Sequence, residues 1–192
     1  MVPTASGYHR PGTHNSLFPL DVLYARASAE PPSADTIQSS EIPLPYRDLL
    51  VHTVTMTGTL EQYYGVTLAV RLLAAWSHEA WYWRHVLLTQ GEDGQPVEMG
   101  GMCLQLTAFR ESVRQRIVAG KVPLGRIIQE AELDCESRPT MFFRVIPNKD
   151  MIAMFRISEL QRLYGRRTEL FLAQRKIGDV VEILSPIVEA GS

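Results

Sequence analysis

Apolar and polar residues alternate through the middle of the chain in the way that β-strands require. Three such runs follow one another, at residues 66–77, 80–90 and 96–107. A two-residue link joins the first two runs, and the Asp93-Gly94 turn signal lies between the second and the third. Because connections this short join only antiparallel neighbours, the runs predict an antiparallel sheet.

Segments with helical spacing flank these three strands. In the segment that follows them, Phe109, Val113 and Ile117 fall on one face of a helix. Before them, Thr57 is predicted to cap a helix that Gly65 ends. The predicted helices are residues 45–51, 57–65, 108–119 and 123–133.

The last third of the chain returns to strand-like patterns. Residues 137–146, 166–174 and 178–186 are predicted strands, and residues 157–165 predict a helical turn. Groups of strands therefore alternate with groups of helices. This order predicts an α+β fold with an antiparallel sheet of about six strands, and it disfavours a doubly wound parallel sheet.

The N-terminal part of the chain has little periodicity. Residues 17–27 have enough apolar residues to dock as a short element, whereas residues 28–43 are rich in proline and serine and predict an irregular strap. We therefore predict a packed domain at residues 45–188, preceded by a partly irregular extension at residues 1–44.

Composition and charge narrow the function classes. The chain has 192 residues, of which 45% are apolar, so it is long enough for one domain with a sizeable core. With 19 basic and 21 acidic residues it lacks the basic excess of a nucleic-acid or membrane-surface binder. No signal peptide or membrane span is recognisable in the sequence. We expect a cytoplasmic monomer or small homo-oligomer, with neither nucleic acid nor membrane as a partner.

Most other candidates for chemistry have simple structural interpretations. Cys103 and Cys135 are too few and too far apart for a disulfide scaffold or a zinc site. His85 is predicted to be a surface or core imidazole, and Arg166 and Arg167 are predicted to be solvated. The aromatic residues Trp76, Trp81, Tyr82 and Trp83 are typical of core and cross-strand packing.

Two ionisable residues lie within apolar strand runs. Strand alternation places Arg84 on the same face as Val86 and Leu88, and it places Glu182 on the same face as Val180. A buried charge needs a partner: a guanidinium can hold a carboxylate in two parallel hydrogen bonds, and a carboxyl can hold a hydroxyl or act as an acid. Two alternatives remain open, namely that both side chains face water or that they pair with each other.

Four segments, taken in order, resemble the chorismate lyase family (chorismate pyruvate-lyase, or 4-hydroxybenzoate synthase). Together they cover about residues 45–186. The segments are LLVHTVTMTGTLEQ at 49–62, WYWRHVLLTQGEDGQPVEMGG at 81–101, VPLGRI at 122–127 and GRRTELFLAQRKIGDVVEILSP at 165–186.

The resemblance implies both a fold and an activity. The fold is an antiparallel sheet with helices packed on one face, covering a buried ligand cavity. The activity is elimination of pyruvate from chorismate, or from a close relative, to give a hydroxybenzoate. The family needs no metal or organic cofactor, so the implied partner is a small-molecule substrate.

The resemblance also assigns roles to individual residues. Arg84 matches the arginine that holds the ring carboxylate, and Glu182 matches the glutamate that meets the ring hydroxyl; these two are the implied catalytic residues. Met56 and Leu124 match residues whose backbones contact the ligand. Gly101 stands where the family usually has an arginine that could contact the enolpyruvyl carboxylate.

Two further hypotheses belong to different functional classes. The same fold is related to the effector-binding domains of some transcription regulators, so the chain could be a non-catalytic module that binds an aromatic acid. Residues 1–43 are too turn-rich to be a helix-turn-helix DNA-binding segment. A catalytically inactive relative of the lyases is the third hypothesis.

Overall fold

The predicted strands join one antiparallel sheet. A computed structural model describes residues 17–158 and 161–187, and within these ranges the sheet has seven strands in the order β1-β5-β6-β7-β4-β3-β2. The strands are β1 (Ser33–Ile37), β2 (Leu68–His78), β3 (Trp81–Gln90), β4 (Pro96–Gln105), β5 (Cys135–Ile146), β6 (Leu163–Leu172) and β7 (Arg175–Leu184). The α+β prediction is confirmed, with one strand more than the sequence pattern indicated.

Helices lie on both faces of this sheet. Those in the described ranges are α1 (Leu20–Arg26), α2 (Tyr46–Leu50), α3 (Met56–Tyr64), α4 (Glu111–Ala119), α5 (Leu124–Glu130) and α6 (Lys149–Phe155). Helices α2 to α5 pack on the face that carries Leu88 and Tyr82. Helices α1 and α6 pack on the opposite face, against Trp83 and Leu87. The resemblance implied helices on one face only. The second layer consists of α1, from the segment predicted to dock as a short element, and α6, which the sequence pattern did not predict.

The predicted hairpins hold the centre of the sheet together. Strands β2 and β3 pair so that Trp76 lies opposite Trp83, and the two rings stack at a centroid distance of 5.7 Å and an interplanar angle of 4°. The cross-strand interpretation of the aromatic residues is thus confirmed. Strands β4 and β7 pair in the middle of the sheet and join its two halves.

The predicted strap at residues 28–43 is wrong in part, because it contains β1. This strand pairs with β5, from Ser33 opposite Ile146 to Ile37 opposite Phe142. The pairing was not visible in the sequence because the two strands are more than 100 residues apart. Residues of α1 also enter the core, so part of the extension belongs to the same packed structure; the boundary at residue 44 stays a prediction.

Two local predictions differ from the structure. The helical turn at 157–165 is not found in the described part of that range, where Leu163 already begins β6; residues 159–160 lie outside the described residues. The helix is α6 instead, and the Asn148 side chain caps it by accepting from the backbone N–H of Met151 at 2.9 Å. Helix α3 begins after Thr55, two residues earlier than a cap at Thr57 implies.

Gly101 allows α1 to approach the sheet closely. A Cβ atom at this position would lie 2.9 Å from Leu23 Cδ1 and 3.2 Å from Leu20 Cα. Helix α1 therefore packs directly against the face of β4 toward which a side chain at position 101 would point.

In the described ranges, no helix is both long and apolar enough to cross a membrane.

Candidate functional site

A cavity of about 70 Å³ lies between the sheet and helices α3 and α5. This is room for a few water molecules, so the cavity suits a small molecule rather than a peptide. Strands β3, β4 and β7 form its floor, and the first residues of α3 and α5 form its roof. Three ionisable side chains line it, namely Arg84, Glu98 and Glu182.

Gly100 lies at the centre of this floor and has no side chain to fill the cavity above it. It lies opposite Val86 of β3 and opposite Glu182 of β7, in the middle of the three strands. A Cβ atom there would lie 2.9 Å from Glu98 Oε1 and 3.4 Å from the Val86 side chain. The absence of a side chain on Gly100 is therefore what opens the floor toward the roof.

All four residues that the resemblance singled out line this cavity. Arg84 and Glu182 come from the floor, and Met56 and Leu124 come from the starts of the two roof helices. The residues are brought together from four separate segments of the chain. Their roles toward a ligand stay predictions.

Arg84 has almost no contact with water and no acidic partner among the described residues. Its side chain is 2% exposed. One terminal nitrogen donates to the backbone carbonyl of Ile117 at 3.4 Å, and Nε has no hydrogen-bond partner. Burial lowers the pKa of Arg84, and nearby Tyr82 and Glu98 partly oppose this. A guanidinium stays charged even so, hence the floor carries a buried cation with free donors.

Glu182 is paired, but with a residue other than Arg84. Arg166 Nε donates to Glu182 Oε2 at 2.5 Å, and the Thr168 hydroxyl lies 3.4 Å from the same oxygen. Glu182 and Arg84 are two strands apart, about 10 Å across the sheet, which keeps them from pairing. The alternative that Arg84 and Glu182 neutralise each other is therefore excluded, as is the alternative that both face water.

The prediction that Arg166 and Arg167 are solvated is wrong. Both side chains are buried, and because they are adjacent in β6 they point to opposite faces. Arg166 meets Glu182 on the cavity face, and Arg167 donates to Asp179 at 2.9 Å on the other. Both acids lie on β7, so the pairs form only after the strands have aligned, and local sequence does not show them.

Glu98 also lines the cavity, although it was not among the site residues predicted from the sequence. It is 4% exposed, and its Oε2 has no hydrogen-bond partner among the described residues. Burial, and then the nearby Glu182, raise the pKa of Glu98 well above its usual value, against the opposing effect of Arg166 and Arg84. The same alternation rule that marked Arg84 would have found it, because Glu98 shares a strand face with Gly100 and Met102.

The roof is fixed to the floor by polar contacts. Arg166 donates to the backbone carbonyls of Leu50 and His52, each at 3.0 Å, and thereby holds the segment that leads into α3. Where α3 and α5 meet, Arg126 is paired with Glu61. The residue that neutralises Glu182 thus also positions one side of the roof.

Two other candidate residues from the sequence, His85 and Cys103, lie in the core and not at the cavity. His85 is buried against Tyr24 on the face away from the cavity, as a core imidazole, and burial lowers its pKa to about 4. Cys103 is buried in the same core, which raises its pKa. The described residues contain no group of three or more His, Cys, Asp or Glu side chains placed to hold a metal ion.

Comparison with known proteins supports the architecture. No protein family and no curated protein matches the sequence. Among solved structures, PhnF from Mycobacterium smegmatis superposes with a TM-score of 0.55 over 73% of this chain and 71% of its own, at 12% identity. The fold is chorismate lyase-like. The fold that the sequence resemblance implied is thereby confirmed.

Weaker structural similarities are found as well. The C-terminal domain of the histidine utilization repressor from Pseudomonas syringae has a TM-score of 0.43 at 11% identity, covering 65% of this chain and 98% of its own. The ligand-binding domain of a Bordetella bronchiseptica protein assigned to the GntR family of transcriptional regulators also has a TM-score of 0.43, at 13% identity, covering 60% of this chain and 85% of its own.

Proposed function

We propose that this chain is a binding module for a small aromatic monocarboxylate, and that Arg84 holds the carboxylate. The observation that carries the proposal is a buried guanidinium with unused donors beside a cavity. Leaving such a group without an anion costs free energy, and a bidentate carboxylate would remove that cost. The apolar side chains of Val86, Leu88 and Ile128 suit a ring.

The balance of charge favours binding over turnover of chorismate. Among the described residues that line the cavity, Arg84 is the cation, and the nearby Arg166 is already paired with Glu182. One ligand carboxylate would therefore be neutralised, whereas chorismate has two. At position 101, where the family usually has an arginine, a side chain would point at α1. A second carboxylate would thus be buried without a partner, which is costly.

Titration calorimetry with 4-hydroxybenzoate tests this proposal. We expect one molecule to bind per chain, and we expect Arg84→Ala to weaken binding by about 100-fold, since truncating one partner of a buried charge pair costs about 2–5 kcal/mol. Arg26→Ala is the matched control, because Arg26 lies over Trp76 on the opposite face. Failure of the parent to bind, or equal affinity in Arg84→Ala, would contradict the proposal.

The second candidate function is lyase activity, and the convergence of Met56, Arg84, Leu124 and Glu182 on one cavity favours it. In that case Arg84 would orient the ring carboxylate and Glu182 would hold the ring hydroxyl. The two functions differ in one assay, the release of pyruvate from chorismate. We expect no release above the spontaneous rate; release that depends on Arg84 would establish the lyase instead.

A further inference from the structure

Glu98 is the second unsatisfied polar group of the cavity. Its carboxyl lies on the floor beside Gly100, and the cavity is the space next to it. Its Oε2 atom is buried and lacks a partner, and the residue forms no ion pair with any described residue. Native proteins rarely leave a buried carboxyl oxygen without a hydrogen bond. We therefore expect a ligand to supply the hydrogen-bonding partner of Glu98 Oε2.

The charges around Glu98 decide which form of the carboxyl is present. Three charged groups face it: Glu182 from β7, Arg166 from β6 and Arg84 from β3. Arg166 is engaged by Glu182, and Arg84 forms no ion pair with Glu98. The described residues of α3 and α5 that line the cavity add no ionisable side chain. Burial and the neighbouring carboxylate outweigh the two guanidinium groups, so the surroundings raise the pKa of Glu98 and favour its protonated form.

We infer that Glu98 is a neutral carboxylic acid that donates a hydrogen bond to an oxygen of the ligand, and that it thereby selects acids with a second oxygen group. This inference rests on the proposed function and deepens it. With Glu98 neutral, and with Arg166 and Glu182 cancelling, the cavity keeps the single positive charge of Arg84. That charge matches a monocarboxylate.

A hydroxyl group suits this pair of acids, because it is both a donor and an acceptor. Glu182, already a hydrogen-bond acceptor from Arg166, can accept from the ligand hydroxyl, while Glu98 can donate to the hydroxyl oxygen. Glu98 lies one strand away from Glu182 and two residues along β4 from the position opposite it, so the two carboxyls share one floor. A ligand without the second oxygen would leave Glu98 unsatisfied.

The state of the proton can be tested without any ligand. Infrared spectroscopy of the parent at neutral pH should show the carbonyl stretch of a protonated carboxyl, and Glu98→Gln should lack that band. Glu98→Gln keeps the size of the side chain and a hydrogen-bond donor but removes the titratable group. A parent spectrum identical to that of the variant would overturn the inference, whether or not 4-hydroxybenzoate binds.

Selectivity is tested by comparing 4-hydroxybenzoate with benzoate. We expect the parent and Glu98→Gln to prefer 4-hydroxybenzoate by about tenfold, the equivalent of one hydrogen bond, and we expect Glu98→Leu to lose the preference. Affinity of the parent should fall once the pH is high enough to ionise Glu98, because an ionised carboxyl cannot donate a hydrogen bond, whereas Glu98→Gln should show no such fall. If both acids bind but Glu98→Leu keeps the preference, Glu98 is not the selecting residue, although the proposed binding function stands.

Discussion

The two faces of the sheet hold buried charge in different ways. On the face covered by α1 and α6, Arg167 donates to Asp179 at 2.9 Å, and Lys176 lies 3.1 Å from the same carboxylate. On the cavity face, Arg84 and Glu98 are equally buried but form no ion pair with a described residue. On the first face the buried arginine is paired with an acid, although Arg167 Nε and His85 Nε2 have no hydrogen-bond partner among the described residues. The cavity face keeps an unpaired cation and an unpaired acid next to open space.

This difference distinguishes charged residues that stabilise the fold from charged residues that are available to bind a ligand. A charge that is paired during folding stabilises the native state only as a pair, since losing one partner leaves the other buried and uncompensated. A charge left unpaired beside a cavity lowers the stability of the ligand-free protein. The same charge favours binding of a ligand that carries the opposite charge. The comparison predicts opposite responses to the same substitution on the two faces.

Replacing Arg167 and Arg84 with methionine, in two separate variants, should give the largest difference between the two faces. We expect Arg167→Met to lower the free energy of unfolding by about 3 kcal/mol, because Asp179 loses its partner. We expect Arg84→Met to raise the ligand-free value by about 1–2 kcal/mol, because it removes an uncompensated buried cation. Urea denaturation of the two variants and the parent measures both effects, and equal losses in the two variants would refute the distinction.

His85 provides a second contrast, because it is a titratable group on the face without the cavity. Its pKa falls from an ordinary value of about 6.5 to about 4 in the folded chain. The folded state therefore binds the proton less readily than the unfolded state. This contribution to stability is present above pH 6.5 and is lost as the pH falls toward 4, by about 3 kcal/mol in total.

Denaturation of the parent and of His85→Gln across that pH range isolates this effect. Tyr24 and Asp150 are the neighbours that face the imidazole, and both are retained in the variant. We expect the acid-dependent loss to be smaller in His85→Gln, whereas binding of 4-hydroxybenzoate at neutral pH should stay the same. A parallel pH dependence in the two proteins would show that His85 does not titrate as the structure implies.

The adjacent glycines Gly100 and Gly101 offer a finer test, since they belong to opposite faces. An added methyl group at 101 meets the backbone of α1, so we expect Gly101→Ala to lower the free energy of unfolding by about 1–3 kcal/mol without changing affinity. An added methyl at 100 is close to the end of the Glu98 side chain, which can move, and is in ordinary contact with the Val86 side chain at 3.4 Å. Gly100→Ala should therefore retain stability but bind 4-hydroxybenzoate several-fold more weakly.

Thermal denaturation and calorimetry on both alanine variants measure the two properties side by side. The outcome that would reverse our assignment of the faces is a stable Gly101→Ala protein with impaired binding, together with an unstable Gly100→Ala protein that binds normally.

The sequence predicted those parts of the molecule that depend on short-range pattern. Period-two alternation placed the side chains of Arg84 and Glu182 on apolar strand faces, where the structure has them. Short turns were sufficient to predict antiparallel pairing, because such links permit no other arrangement. Gly65 also ends α3 in the left-handed conformation, as its position after the helix indicated.

The features that escaped prediction depend on contacts between distant segments. Strand β1 has few buried residues of its own and is defined by its pairing with β5. Arg166 and Arg167 looked like surface charge because their acidic partners lie on another strand. Glu98 was overlooked although it satisfies the same alternation criterion as Arg84, since no feature of its own segment showed that two other strands would bury it.

The short strand β1 also bears on how the molecule avoids aggregation. Its five residues occupy the outer edge of β5, a twelve-residue strand whose backbone hydrogen-bonding groups would otherwise be open there. A recombinant fragment beginning at Pro45 would leave that long strand free to recruit a strand from a second molecule. The segment that the sequence predicted to be an irregular strap therefore shields this edge from intermolecular pairing, and we expect a fragment without it to aggregate more readily.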